Sequence, residues 1–125
     1  MLLVRARVGI SAISGFGLIA REFVPRGAIV WQFVPGFDLE IPEDALSALS
    51  PSAREQVLHY AEYFPDERKF RLSSDDDRFC NHSDNPNLGT CHKKMIALRD
   101  IPVGEEMTCD YRECMMVGFC PGPRQ

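Results

Sequence analysis

A chain of 125 residues has the length of one domain, enough for a single hydrophobic core and too short for two independent ones. Its 45% hydrophobic and 26% charged residues describe a globular protein rather than a disordered tail. The formal charge of −4, from 14 Lys and Arg against 18 Asp and Glu, argues against nucleic acid as a direct partner, because that partner demands a broad positive surface.

A mild negative charge suits a basic substrate such as a Lys-rich peptide. Arg5 and Arg7 interrupt the N-terminal apolar run, so no secretory signal is expected, and no stretch approaches the ~20 apolar residues that cross a bilayer. A cytoplasmic or otherwise intracellular protein without membrane association is expected. Five cysteines without a C-x-x-C pair read as free thiols in a reducing compartment.

Leu2 to Val8 alternates Val4, Ala6 and Val8 with Arg5 and Arg7, the pattern of a half-buried strand. Ser14-Gly15-Phe16-Gly17 reads as a turn, Leu18 to Ala20 as a short second strand and Ala28 to Val34 as a third, closed by Pro35 and Gly36. Residues 42 to 64 read as a helical insert. Pro42 fits a first helical position, Ser50-Pro51 is a second start signal, and Val57, Leu58, Ala61 and Phe64 share one helical face. Lys69 to Leu72 is a short strand, 73 to 91 a polar loop, Met95 to Leu98 a strand, and Glu106 to Tyr111 the last strand. Nine Gly and nine Pro agree with short elements and frequent turns. The expected class is α+β with β dominant, in one domain over 1–125 that ends in a short tail from 112 to 125.

Three features carry chemistry. Gly15-Phe16-Gly17 lets backbone amides approach a ligand, since glycine has no Cβ to collide, and it serves equally as a simple turn. It lacks the third glycine and the long helix of a dinucleotide site. Arg78-Phe79-Cys80-Asn81-His82-Ser83-Asp84-Asn85-Pro86-Asn87 has the chemistry of a turn, yet it also gathers hydrogen-bonding groups behind an apolar Phe79, as a polar aromatic ligand requires. Ala97 to Tyr111 reads as strand, turn and strand, and contains Gly104-Glu105-Glu106-Met107-Thr108-Cys109-Asp110-Tyr111.

In this order, the glycine pair, the Asn-His-Ser loop and the Gly-Glu-Glu-x-Thr-x-Asp-Tyr strand resemble the SET-domain protein lysine methyltransferases, over roughly residues 3 to 113. The resemblance is to the short stand-alone bacterial and viral members in particular. It implies a fold of small curved sheets whose C-terminal strand passes beneath the Asn-His-Ser loop in a pseudoknot, an exception to the rule against threaded chains. It implies S-adenosyl-L-methionine as methyl donor and a lysine-containing protein or peptide as acceptor. Gly15, Phe16 and Gly17 then border the methionine part of the cofactor. Asn81 and His82 hold its homocysteine and adenine portions, and Arg78 and Phe79 flank them. Tyr111 is the catalytic tyrosine and also meets the cofactor. Tyr60 and Tyr63 fall where relatives place one wall of the lysine channel, and are otherwise helix-surface or core tyrosines.

Methyl transfer of this kind is an in-line displacement by a neutral amine, which is scarce for a lysine of pKa ~10.4. Burial beside a cationic sulfur favours the neutral form, so the work of the protein is alignment and desolvation, without metal.

This chain departs from the larger relatives at three places. Asp84 replaces the cysteine that joins a zinc-binding C-terminal module there, and the tail offers only Cys114 and Cys120, so structural zinc is not expected. The apolar tail residues Met115, Met116, Val117 and Phe119 are expected to cover the channel instead, or else a second subunit of a homodimer does. Cys109 replaces the usual aromatic two residues before the tyrosine and implies a roomier channel. Asp75-Asp76-Asp77 reads as a solvated turn or an attractor for a basic peptide. His59 and His92 read as ordinary surface histidines. Two other readings remain: a catalytically silent binding module of the same fold, and an interaction protein whose motifs reflect the fold alone.

Overall fold

Alternating apolar and polar residues near the start of the chain build a hairpin. In the computed structural model, which describes residues 1–91 and 93–114 (the last without its side chain), β1 (Ala6–Ile10) pairs antiparallel with β2 (Phe16–Ala20). His92 and the tail residues Met115, Met116, Val117, Phe119 and Cys120 lie outside the described residues, and with them the expected tail cover. The first strand starts later than its alternation suggests: Leu2 makes only an isolated bridge, to Trp31. Phe16 and Gly17, expected in the turn, belong to β2.

β3 (Ile29–Gln32) and β4 (Leu39–Pro42) follow, then a 3₁₀ turn (Glu43–Ala48) and α1 (Pro51–Tyr60). The Ser50 start signal is real: its Oγ accepts from Ala53 N at 3.2 Å, and Pro51 occupies the first helical position. The expected continuous helix over 42–64 is not formed. Pro42 is held in β4 opposite Lys69, and residues 62–64 are drawn into β5 (Glu62–Phe64) by pairing with β6 (Lys69–Leu72). Tertiary pairing overrides the helical spacing of Phe64, which pairs with Lys69 and lies under the Arg71 guanidinium.

The polar stretch 73–91 is more structured than a loop. It contains a 3₁₀ turn (Asp76–Phe79), β7 (Asn81–His82) and β8 (Leu88–Cys91). β9 (Lys94–Ala97), β10 (Glu106–Cys109) and the short α2 (Tyr111–Cys114) complete the chain. Tyr111 therefore opens a helical turn rather than ending a strand. Three small sheets result, in the orders β1-β2-β10-β7, β3-β9-β8 and β4-β6-β5. The class is mostly β with few helices, as expected. No helix among the described residues is long and apolar enough to cross a membrane.

The larger core contains Leu18, Val24, Val30, Leu88, Ile101 and Met107, each almost fully buried. A smaller one joins Val57 and Ala61 to Phe70 and Leu72. The C-terminal strand is threaded. Glu106 and Met107 pair with β2, and Thr108 and Cys109 pair in parallel with β7. Successive residues of a strand direct their backbone polar groups to opposite edges. Ala20 N donates to Glu105 O and Ser83 N to Cys109 O on one edge. On the other, the side chain of Asn87 donates to Glu106 O at 2.8 Å and accepts from Thr108 N at 2.8 Å. Residues 81–87 thus grip β10 from both edges, which is the pseudoknot.

Candidate functional site

The threading brings three distant segments together around Asn81. Its Nδ2 lies 2.9 Å from Phe16 O, 3.0 Å from Glu106 Oε2, 3.1 Å from Ser11 Oγ and 3.2 Å from Ser14 O. Two amide protons are shared among these oxygens, which also fixes the orientation of the amide, since a carboxylate and two carbonyls demand a donor. Ser11 Oγ donates to Glu106 Oε1 at 2.7 Å and accepts from Ile13 N and Ser14 N. The turn between β1 and β2 is therefore pinned to β7 and β10. Gly15 has φ +50°, where a side chain is disfavoured, and a Cβ on Gly17 would stand 2.5 Å from Glu106 Oε2. The first glycine serves the turn and the second admits the Glu106 carboxylate. Phe16 between them is 61% exposed.

Tyr111 is held by the same segment. Its O–H donates to Cys80 O at 2.5 Å and its N–H to His82 Nδ1 at 3.1 Å. That second bond fixes the neutral ring as the Nε2–H tautomer, so Nε2 donates to Asp84 Oδ1 at 2.9 Å. Arg112 also donates to Asp84 and to the buried Asp110. Asp84, where larger relatives were expected to carry a zinc ligand, thus orients His82. Among the described residues no three His, Cys, Asp or Glu side chains are grouped as a metal site.

A cavity of about 30 Å³ lies between the two cores, room for a small polar head group. Tyr111, Cys109, Cys80 and Met95 line it from the larger core, and Tyr60 and Arg78 from the insert and the turn before β7. Of the residues singled out in the sequence, Tyr60, Arg78, Cys109 and Tyr111 meet here. Phe79 packs edge-on against Tyr60, with centroids 5.8 Å apart. Asn81, His82 and the Gly15–Gly17 backbone cluster on the neighbouring surface. Tyr63 is not among the lining residues; it packs on Phe70 at 4.9 Å.

Sequence reasoning missed Ser11 and the tethering role of Glu106. It also missed two carboxyls that line the cavity, Glu62 and Asp77. Asp77 is only 8% exposed, which corrects the solvated reading of the Asp75–Asp77 run at that residue, while Asp76 is exposed. Asp75 Oδ1 accepts from Asp77 N, and Ser73 Oγ donates to Asp77 Oδ2 at 2.7 Å. Burial pushes the Asp77 carboxyl up to about 7, against the opposing Ser73 hydrogen bond. Burial, helped by the Asp77 charge, pushes Glu62 up to about 8.

The family model of the SET domain matches residues 15–112. No curated protein matches the chain. Among solved structures, Polycomb Repressive Complex 2 of Chaetomium thermophilum superposes with a TM-score of 0.68 at 20% identity, over 90% of this chain and 16% of the other. The same complex in an autoinhibited conformation bound to S-adenosylmethionine gives 0.66 at 20% identity, over the same shares of both chains. This chain therefore spans about a sixth of those relatives. A Plasmodium falciparum protein assigned as a histone methyltransferase gives 0.61 at 16% identity, over 88% of this chain and 95% of that one.

Proposed function

Since the chain belongs to the SET-domain family, we propose that it moves a methyl group from S-adenosylmethionine to the side-chain amine of a lysine in another protein. The observation that carries this reading is the position of Tyr111. Its phenol lines a cavity while its backbone and hydroxyl are tied to Cys80 and His82, one strand away from Asn81.

The surface around Asn81 suits a ligand that is part polar and part apolar. Asn81 supplies a polar side chain, His82 an imidazole whose two nitrogens are already engaged by Tyr111 N and Asp84, Phe16 an exposed ring, and Gly15 a backbone where an added Cβ would meet nothing within 4 Å. Gly15, Phe16 and Gly17 would border the amino-acid end of the cofactor, and Asn81 and His82 its remainder, with Arg78 and Phe79 behind them. The bound cofactor supplies an electrophilic methyl on a sulfonium. The acceptor amine would enter past Tyr60 and Cys109. The hydroxyl of Tyr111 gives its proton to Cys80 O, so toward an incoming amine the phenol oxygen acts as acceptor, and it would orient the nitrogen lone pair.

The test is mass spectrometry of lysine peptides incubated with the protein and isotopically labelled S-adenosylmethionine. The wild type should label lysine. Tyr111→Phe should lower the rate about a hundredfold with an unchanged circular dichroism spectrum. Undiminished transfer by that variant removes Tyr111 from the mechanism.

A further inference from the structure

The methyl-transfer reading gives Asp84 no part, yet one of its oxygens joins both sides of the pseudoknot. Asp84 lies in the loop that crosses β10. It falls between Ser83, whose N–H donates to Cys109 O, and Asn87, which grips Glu106 and Thr108. Its Oδ1 accepts from His82 Nε2 at 2.9 Å and from the Arg112 guanidinium at 2.6 Å. His82 belongs to β7, which leads into the loop, and Arg112 to α2, which leaves the threaded strand. A single carboxylate oxygen therefore closes the loop behind β10. Tyr111 is the residue it encloses. Its N–H donates to His82 Nδ1 at 3.1 Å. On its other side, Arg112 gives its backbone N–H to Asp110 Oδ1 at 2.9 Å and its Nε to the same atom at 2.8 Å.

The imidazole of His82 turns about two side-chain torsions, and the Tyr111 N–H engages only one of its nitrogens. The bond from Nε2 to Asp84, on the far edge of the ring, fixes the ring plane and so the direction of the Nδ1 lone pair. The bond from Arg112 is short and charge-assisted, and it fixes Asp84 in turn. The phenol hydroxyl of Tyr111 rests on Cys80 O, two residues before the His82 that holds its backbone. A ring of His82 left free to turn therefore loosens one of the two anchors of the tyrosine. The Asp84 side chain is 55% exposed, so its ion pair with Arg112 adds little to global stability, and its influence is local.

We propose that Asp84 is a positioning residue: acting through His82 and Arg112, it holds the backbone at Tyr111 and thereby the aim of the phenol that borders the cavity. Its effect on the rate rests on the methyl-transfer reading above; the anchoring of Tyr111 does not. Misplacing a group that orients reacting atoms costs up to about a hundredfold in rate. The backbone of β7 stays paired with β10 whatever occupies position 84, so the ligand surface beside it persists. The loss then falls on kcat more than on KM.

The experiment combines amide hydrogen exchange by NMR with methyl-transfer kinetics on the full chain. In Asp84→Ala the Tyr111 amide should exchange at least about tenfold faster, while the amides of the β1–β2 and β2–β10 pairings keep their protection and the thermal midpoint stays in place. Asp84→Asn keeps a carbonyl oxygen for His82 Nε2 and should recover part of that protection. Equal Tyr111 exchange in wild type and Asp84→Ala overturns the proposal. Lost protection throughout β10 also overturns it, because it marks Asp84 as a general structural residue, and no recovery in Asp84→Asn overturns the route through His82. In the kinetics, Asp84→Ala should lower kcat roughly tenfold or more and change KM for S-adenosylmethionine about threefold at most. Faster exchange with an unchanged kcat overturns the link from anchor to rate. Faster exchange in the variant, with a wild type that transfers no methyl group, leaves the anchor standing and sinks the methyl-transfer reading.

Discussion

The amide of Asn81 sits among oxygen acceptors, one of them a carboxylate, and that crowding makes a single-atom test possible. Asn81→Asp would place a second negative charge about 3 Å from Glu106 while losing the donor, which should destabilise the fold by about 2–4 kcal/mol in urea denaturation. Asn81→Gln keeps the donor but lengthens the reach, and should retain more of the stability. Individual residues divide sharply in what the sequence shows of them. Asn81, His82 and Tyr111 were legible because their order along the chain follows a known pattern. Glu62 and Asp77 were not. Glu62 lies in a stretch whose spacing is helical, and Asp77 ends a run of three aspartates that looks solvated. Asp77 is buried and Glu62 half-buried because the tertiary fold sets both against the cavity that Arg71 and Tyr111 also line, which no local pattern encodes.

At the scale of elements, the helix that survived is the one with a chemical start signal. Ser50 caps α1, and Ser50→Ala should cost about 1 kcal/mol of stability, read as a lower urea midpoint with an unchanged slope. The two ends of the same predicted helix, Pro42 and residues 62–64, were lost to strands because β6 pairs on both sides, with β4 and with β5, while Glu43–Ala48 tightened into a 3₁₀ turn. Apolar spacing over residues 57–64 could not reveal this, since a short apolar run fits either element until its pairing partner is known. β1, β2, β3, β9 and β10 were readable within a few residues and Lys69–Leu72 was placed at its true bounds, while β4 and β8 went unread. The 3₁₀ turn and β7 inside the polar stretch escaped detection, because β7 is two residues long and exists only through its pairing with β10. Asn87 belongs to this scale too. It is 1% exposed and serves as a surrogate strand partner for Glu106 and Thr108. Asn87→Ala leaves both backbone groups unpaired and should cost about 2–3 kcal/mol by chemical denaturation, with a loss near zero counting against the clamp.

Across the whole molecule, burial of acids gives stability a characteristic pH profile. Glu62 is pushed up to about 8 and Asp77 to about 7, from ordinary values of 4.5 and 3.8. The folded chain binds more protons than the unfolded chain through that window. Stability from this pair is full below the ordinary carboxylate range and declines as pH rises to about 8. Thermal melts should show that decline, and Glu62→Gln should flatten it; a flat wild-type profile would contradict the burial. The function proposed for this chain requires one arrangement, in which the Tyr111 phenol faces a ligand lying along Gly15–Gly17 and Asn81. A crystal structure with S-adenosylhomocysteine tests it most directly. The account predicts the ligand sulfur turned toward the Tyr111 hydroxyl, with the acceptor cavity opening on the same point. Density for the ligand elsewhere, or a sulfur separated from Tyr111 by intact protein, would contradict it.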